Sequence, residues 1–269
     1  MASHPVVFIG AGPGEADLIT LRGAKRLAAA EVVLFDALAD PALREHAPQA
    51  EWIDVGKRGF SSPASSQGAA PPCPAGAPTA QERINAAIVE HARRGRRVVR
   101  LKGGDPSVFG RLEEELEALA AAGLRAEIVP GVTAAVAAAA LTQRPLTRRG
   151  GGRSVSLATA MTRTLDLHVI PGASGGAKPS GDTEVYYMAG RQLEAITRHL
   201  IDAGWPADAP CCVTSRAGWP DARSSEHRVA GLAEAHALHA GRPTIVVVGA
   251  GARAVVAMPA AAFVPNPAP

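Results

Sequence analysis

Aromatic side chains make up only 4% of this chain. A platform that stacks the bases of a nucleic acid needs several such rings in register, so the composition argues against one. Cysteine is almost as scarce. There are three in 269 residues: Cys211 and Cys212 are adjacent, and Cys73 lies in a Pro/Ala stretch. No pair has C-x-x-C spacing, so neither a disulfide framework nor a cysteine zinc site is expected, and the compartment implied is the reducing cytosol. Long apolar runs are lacking too. No segment reaches the roughly 18 apolar residues that a membrane-spanning helix requires, and the opening MASHPVVFIGAGPG carries no cleavage-type signal. Charge of one sign is nowhere concentrated: the net charge is +3 and the pI about 9.0. That balance supports no nucleic-acid patch and suits a small anionic ligand equally well. His236 and His239 share a helical face, but no third ligand accompanies them, so they read as surface residues and no metal is expected.

What is present is a core former rich in Ala and Gly, 47% hydrophobic and 20% charged. Its first half alternates strand and helix signals. VVFIG (6–10), EVVLFD (31–36), EWIDVG (51–56), VVRL (98–101) and AEIV (126–129) read as strands. Between them, three segments show helical periodicity. The first places Leu21, Ala24, Leu27 and Ala28 on one face. The second does the same with Ile84, Ala87, Ile88 and His91, and RLEEELEALAAAG is the third. This βα alternation predicts a mostly parallel sheet covered by helices on both faces. In the second half, SVSLATA, EVYYMAG, CCVTSR and TIVVVG read as strands. RQLEAITRHLIDAG is a helix with Leu193, Ile196, Leu200 and Ile201 aligned. The fold class is therefore α/β with two domains, residues 1–138 and 139–258, followed by a flexible tail at 259–269. Two Pro/Ser/Gly-rich loops, 59–80 and 170–182, interrupt the pattern.

Glycine-rich turns follow several strands: Gly10 to Gly14, Gly103 to Pro106, Pro130 to Ala135, and YYMAG at Tyr186 to Gly190. In an open α/β sheet a ligand sits beyond the carboxyl ends of the strands, and glycine lets it approach the backbone. Several such turns imply one cleft with several walls. A dinucleotide fold is the rival, because GAGPGE begins like G-x-G-x-x-G and Asp36 ends the second strand. Glu15 in place of the third glycine and the missing N–H of Pro13 count against a bound pyrophosphate. No Walker-type G-K-[ST] occurs. The better-fitting ligand is one without phosphates.

The segments GAGPGEADLITLRGAKRLAAAEVVLFDAL, VGKRG, VVRLKGGDPSVFGR, VPGVTAAVAA, PLTRRG and YYMAG occur in this order. Together they resemble the tetrapyrrole (corrin/porphyrin) methyltransferases over roughly residues 5–250. The resemblance implies two α/β domains with an S-adenosylmethionine cleft between them, the class III methyltransferase arrangement. It also implies a homodimer, no metal, no membrane and no nucleic acid. The substrate implied is a tetrapyrrole, uroporphyrinogen III. It is methylated at two ring carbons to give precorrin-2 for sirohaem, cobalamin and haem d1, with S-adenosylhomocysteine as by-product. Such transfer needs donor and acceptor held in line rather than a covalent nucleophile, and arginines suit the acceptor's carboxylates.

Residue by residue, the resemblance assigns Pro13, Gly103, Gly104, Asp105, Val108, Thr133, Ala134, Met188 and Ala217 to the donor. It assigns Arg111 and Glu114 to acceptor binding and proton removal, with Arg111 as the expected base. Arg148, Lys57 and Arg58 fall to the acceptor's carboxylates, and Asp36 and Lys57 to proton acceptance and donation. Leu112, Glu113 and Ala189 stand where the family carries glycine. Read without the resemblance, several of these residues have plainer roles. Asp105 and Thr133 cap or brace a turn, and Met188 fills a core. Arg111 with Glu114 forms a surface i,i+3 pair, Asp36 closes a buried strand, and Lys57 and Arg58 are surface charges. The other readings of the whole chain are a methyltransferase for a later corrin, a nicotinamide-dependent oxidoreductase using GAGPG and Asp36, and a family member that binds without catalysing.

Overall fold

The computed structural model describes residues 4–56, 79–159 and 181–255. Lys57, Arg58, Cys73, residues 259–269 and most of the 59–80 and 170–182 loops lie outside the described residues. The chain divides into two compact units, Met1–Thr133 and Ala134–Pro269.

The first unit contains β1 (Val6–Gly10), α1 (Leu21–Ala28), β2 (Val32–Phe35), β3 (Glu51–Asp54), α2 (Ala80–Arg93), β4 (Val98–Lys102), α3 (Leu112–Ala121) and β5 (Ala126–Val129). Its sheet has the order β3-β2-β4-β1-β5, and every pairing is parallel. Parallel strands place all their carboxyl ends on one edge, and their connecting helices cover both faces. Alternate strand residues accordingly feed two separate cores. Ile9, Val33, Val99 and Leu101 pack with Leu27 of α1, and Phe8, Leu34 and Val98 pack with Ile84 and Ile88 of α2 and Leu119 of α3. Thr20 caps α1 by accepting from the Gly23 amide at 3.1 Å. Thr79 and Glu82 form a reciprocal capping box at the start of α2, the arrangement that satisfies two otherwise orphaned amides.

The second unit contains α4 (Ala134–Leu141), β6 (Val155–Thr159), β7 (Thr183–Tyr187), α5 (Leu193–Asp202), β8 (Pro210–Ser215), β9 (Arg223–Arg228), α6 (His236–His239) and β10 (Thr244–Gly249). The expected boundary after residue 138 lies inside α4. The sheet order is β6-β7-β10-β8-β9; β6 and β7 are parallel and the other pairs antiparallel. Val213, Val246 and Val248 meet Leu193, Ile196 and Leu200 of α5 in its core.

Three expectations about faces change. Leu21 is 83% exposed. The buried face of α1 is instead Gly23 and Leu27, because the helix closes on β1 at Gly23, where a Cβ would stand 3.0 Å from Ile9 Cγ2. Ile201 is 43% exposed, while Leu193, Ile196 and Leu200 are buried. His239 is fully buried rather than on the surface. Its Nδ1 lies 2.9 Å from Ser215 Oγ and its Nε2 lies 2.9 Å from Ser225 Oγ, so two hydroxyls replace the water an imidazole loses on burial. Among the described residues no helix is long and apolar enough to cross a membrane.

Candidate functional site

The parallel sheet of the first unit delivers three of the glycine turns to one place. β1, β4 and β5 are neighbours, and the chain turns just beyond the end of each. Gly10, Gly104 and Gly131 then meet backbone against backbone. A Cβ at Gly10 would stand 2.5 Å from Gly131 Cα and 2.7 Å from the Gly104 carbonyl oxygen, and one at Gly131 would stand 2.7 Å from Gly10 Cα. Real Cβ atoms do not approach so closely, so only glycine permits this junction. Gly12 and Gly104 add a reciprocal bridge, with N···O distances of 3.3 and 2.7 Å. The Lys102 carbonyl accepts from the Ala11 amide at 2.8 Å.

Asp105 closes the junction. Its Oδ2 accepts from the Gly131 amide at 2.8 Å and its Oδ1 from the Ser107 amide at 2.8 Å. Its partial burial works to raise the carboxyl pKa, but the hydrogen bonds from Ser107 and Gly131 outweigh that and hold it below the ordinary value. Pro13 follows in the β1 turn, and Val108, half-buried, in the β4 turn. Thr133 directly precedes α4, and Ala134 is its first residue.

The β1 turn does not have the form of a dinucleotide site. No α-helix opens at its glycines; a short 3-10 turn, Ala16–Leu18, intervenes before α1 begins at Leu21. The helix N-terminus that would hold a pyrophosphate is displaced along the chain.

Asp36 follows β2, on the same edge of the sheet. Its Oδ1 accepts from Arg100 NH2 at 2.6 Å. Arg100 also donates through Nε to Glu115 Oε1 at 3.0 Å and through NH1 to the Leu101 carbonyl at 2.9 Å. Lys102 pairs with the other oxygen of Glu115. The side chains of Arg100, Lys102 and Glu115 are all essentially buried. Desolvation, reinforced by the neighbouring Arg100, pulls the Lys102 pKa down to about 8 against the opposing pull of Glu115. Burial works to raise the Glu115 pKa, but Arg100 and Lys102 hold it below its ordinary value. Sequence reasoning passed over this cluster. The available signal was two cations at alternate positions of a central strand, followed by an acid in the first turn of the next helix.

Arg111 is the N-cap of α3 and adopts a left-handed conformation, φ 55°. Its guanidinium grips Glu114 bidentately, Nε to Oε1 and NH2 to Oε2, both at 2.6 Å. The Arg111 side chain is 53% exposed, and the Glu114 hydrogen bond raises its pKa further. A base would need the opposite: strong desolvation and a cationic neighbour. The expected proton-removing role of Arg111 is therefore not what this geometry favours. It presents a permanently charged, planar donor suited to carboxylates.

In the second unit, Met188 follows β7 with φ 57°, and Ala217, buried, follows Arg216 with φ 52°. Among the described residues, five non-glycines have positive φ: Phe109, Arg111, Gln143, Met188 and Arg216. Arg111 and Met188 are expected site residues. Phe109 follows the expected Val108, and Arg216 precedes the expected Ala217. Left-handed backbone at non-glycine residues is costly and collects at functional sites. Arg148 is half-buried and donates through NH2 to the Arg253 carbonyl, a use within its own unit that the sequence did not announce. A cleft of about 1290 Å3 in the second unit is lined by Asp182, Trp205, Glu226, Arg228 and Arg253 among others. It contains none of the expected residues, and its mixed charges converge on no single chemistry. Among the described residues no cluster of His, Cys, Asp and Glu has the form of a metal site.

The family model for tetrapyrrole (corrin/porphyrin) methylases matches residues 5–233. The chain is 38% identical over 262 residues to the uroporphyrinogen-III C-methyltransferase of Pseudomonas aeruginosa, covering 96% of this chain and 98% of that one. It also spans about half the length of several siroheme synthases that it matches. Among solved structures it resembles a uroporphyrin-III C-methyl transferase from Thermus thermophilus complexed with S-adenyl homocysteine. The TM-score is 0.72 at 30% identity, over 91% of this chain and 97% of that one. It resembles a cobalt precorrin-4 methyltransferase with a TM-score of 0.74 at 29% identity, over 93% of this chain and 96% of that one.

Proposed function

The chain belongs to the tetrapyrrole (corrin/porphyrin) methylases, and on that premise we propose that it transfers two methyl groups from S-adenosylmethionine to ring carbons of uroporphyrinogen III, giving precorrin-2. The observation that carries this reading is the junction of Gly10, Gly104 and Gly131, locked by Asp105, at the carboxyl ends of β1, β4 and β5. It gathers three turns at the carboxyl edge of the sheet, and the β1 turn, where a dinucleotide's pyrophosphate would sit, opens no α-helix. A sulfonium donor without phosphates suits it; a nicotinamide dinucleotide does not.

Gly103, Gly104 and Asp105 hold the donor through the β4 turn, with Pro13, Val108, Thr133 and Ala134 beside it. Met188 and Ala217 keep the donor contacts that the family resemblance assigns. Arg111, oriented by Glu114, binds a carboxylate of the acceptor, and Arg148, Lys57 and Arg58 bind others. The electron-rich pyrrole carbon attacks the donor methyl, and the carbon–sulfur electron pair leaves with sulfur. The macrocycle then gives up a proton. Asp36 is the acceptor we assign, because it stands at the site edge, ion-paired with Arg100, whereas the Glu114 hydrogen bond raises the Arg111 pKa further. Lys57 is the proton donor. A homodimer in the cytosol completes the proposal.

The second reading is methylation of a later corrin, favoured by the likeness to a cobalt precorrin-4 methyltransferase. Labelled S-adenosylmethionine offered with uroporphyrinogen III, and separately with a precorrin-4-type acceptor, separates them. Label in the first acceptor alone supports the proposal; label in the second alone replaces it.

A further inference from the structure

Four charged groups stand in one row beneath the site of the first unit. Asp36 accepts from Arg100, Arg100 bridges to one oxygen of Glu115, and Lys102 takes the other. Two cations and two anions leave the row neutral. A row of this kind is an uneconomical way to stabilise a fold, because well-packed apolar residues of similar volume commonly do as well or better. What it does provide is position. Arg100 and Lys102 point to the same face of β4, the face that α2 and α3 cover. Glu115 therefore fixes the first turn of α3 against the central strand through both its oxygens.

The three elements it joins are those that hold the reactive groups. Lys102 is the last residue of β4, directly before the Gly103-Gly104-Asp105 turn, and its carbonyl holds the β1 turn at Ala11. Its stem runs under Gly110, where a Cβ would stand 3.1 Å from Lys102 Cε. Glu115 adjoins Glu114, whose carbonyl is held by Asn85 Nδ2 at 3.1 Å. Arg111, strained at φ 55°, begins that same turn. Asp36 hangs from the far end of the row.

We propose that Lys102 and Glu115 are positioning residues of the methyl-transfer site: their buried ion pair sets where the Arg111–Glu114 pair and Asp36 stand relative to the glycine turns. This rests on the methyltransferase reading above. The groups that face Lys102 are Glu115 from α3, Arg100 on its own strand and Asp36 beyond β2; α2 contributes only the uncharged Gln81, which reaches Glu115 Oε1 at 3.4 Å.

The test compares wild type with Lys102→Met, Lys102→Arg and the double variant Lys102→Met/Glu115→Gln. The double variant leaves only Arg100 and Asp36 charged, so the row stays neutral and no lone buried charge remains. Each is read for kcat, for donor Kd by titration and for the pH dependence of kcat, on whichever acceptor the wild type methylates. Lys102→Met and the double variant are expected to lower kcat about 10- to 100-fold, the cost of small misplacement of reacting groups, with donor Kd changed less than about twofold. Wild-type kcat is expected to fall as pH rises through about 8, where Lys102 gives up its proton. Lys102→Arg, which stays charged, should retain activity and lose that limb. A double variant that turns over like wild type, or that fails to fold, overturns the proposal, as does an alkaline limb unchanged in Lys102→Arg. A wild type inactive on uroporphyrinogen III but active on another tetrapyrrole corrects the substrate and leaves this inference to stand or fall by the variants.

Discussion

The Gly131 amide donates to Asp105 Oδ2 over 2.8 Å and so joins the turn after β5 to the turn after β4. Replacing Asp105 with Ala removes that link together with the Ser107 bonds. Donor affinity should fall about tenfold or more, the loss of one to two charge-assisted hydrogen bonds, measured by calorimetric titration with S-adenosylhomocysteine. Because the folded-state pKa of Asp105 is depressed, the link is present above the ordinary carboxylate range and is lost as pH falls through the lowered value. Asp105→Asn should remove this pH dependence.

The junction itself tolerates no side chain. Gly10→Ala places a methyl carbon 2.5 Å from Gly131 Cα, and the turns must part to admit it. The cost in unfolding free energy should be about 1–3 kcal/mol, in the range of other overpacked sites, accompanied by loss of donor binding. Gly95→Ala serves as the comparison, since a Cβ there meets nothing within 4 Å. It strains only a φ of 78°, so donor affinity should stay at the wild-type value.

Arg111→Ala should abolish most turnover while leaving donor affinity and melting temperature nearly unchanged. The pair with Glu114 is solvent-exposed, with side-chain exposures of 53% and 43%, and exposed pairs contribute little to stability. A drop in melting temperature matching the drop in turnover would assign Arg111 a structural role instead.

His239 supplies a prediction remote from the chemistry. Burial, with smaller contributions from His227 and Arg242, lowers its pKa to about 4 from the ordinary 6.5. A histidine whose folded pKa is depressed stabilises the fold fully above the unfolded value. That contribution is lost as pH falls from about 6.5 through about 4. His239→Gln should flatten this acid limb in urea unfolding, at some general loss of stability.

The sequence carried the first unit well, because parallel strands buried on both faces are apolar runs that stand out between helices. It carried the donor turns well for a related reason: glycine clusters directly after such runs mark the carboxyl edge of the sheet. β9 went unread because RSSEHR is a polar edge strand, with an exposed, charged pattern that local periodicity does not distinguish from a loop. The Arg100–Glu115–Lys102 row went unread because charges in a strand are ordinarily assigned to its solvent face. The helices expected on both faces of the sheet left β4 no such face, and the sheet order, with β4 between β2 and β1, agrees. The burial of His239 was hidden in the same way, since its partners, Ser215 and Ser225, lie on strands distant in the chain.

The most direct measurement is an anaerobic incubation of the protein with uroporphyrinogen III and S-adenosylmethionine, followed by mass spectrometry of the macrocycle. The account predicts a product carrying two added methyl groups, formed in step with S-adenosylhomocysteine. A macrocycle without added methyl groups, from protein that binds S-adenosylmethionine by titration, would contradict the assignment of uroporphyrinogen III as the acceptor.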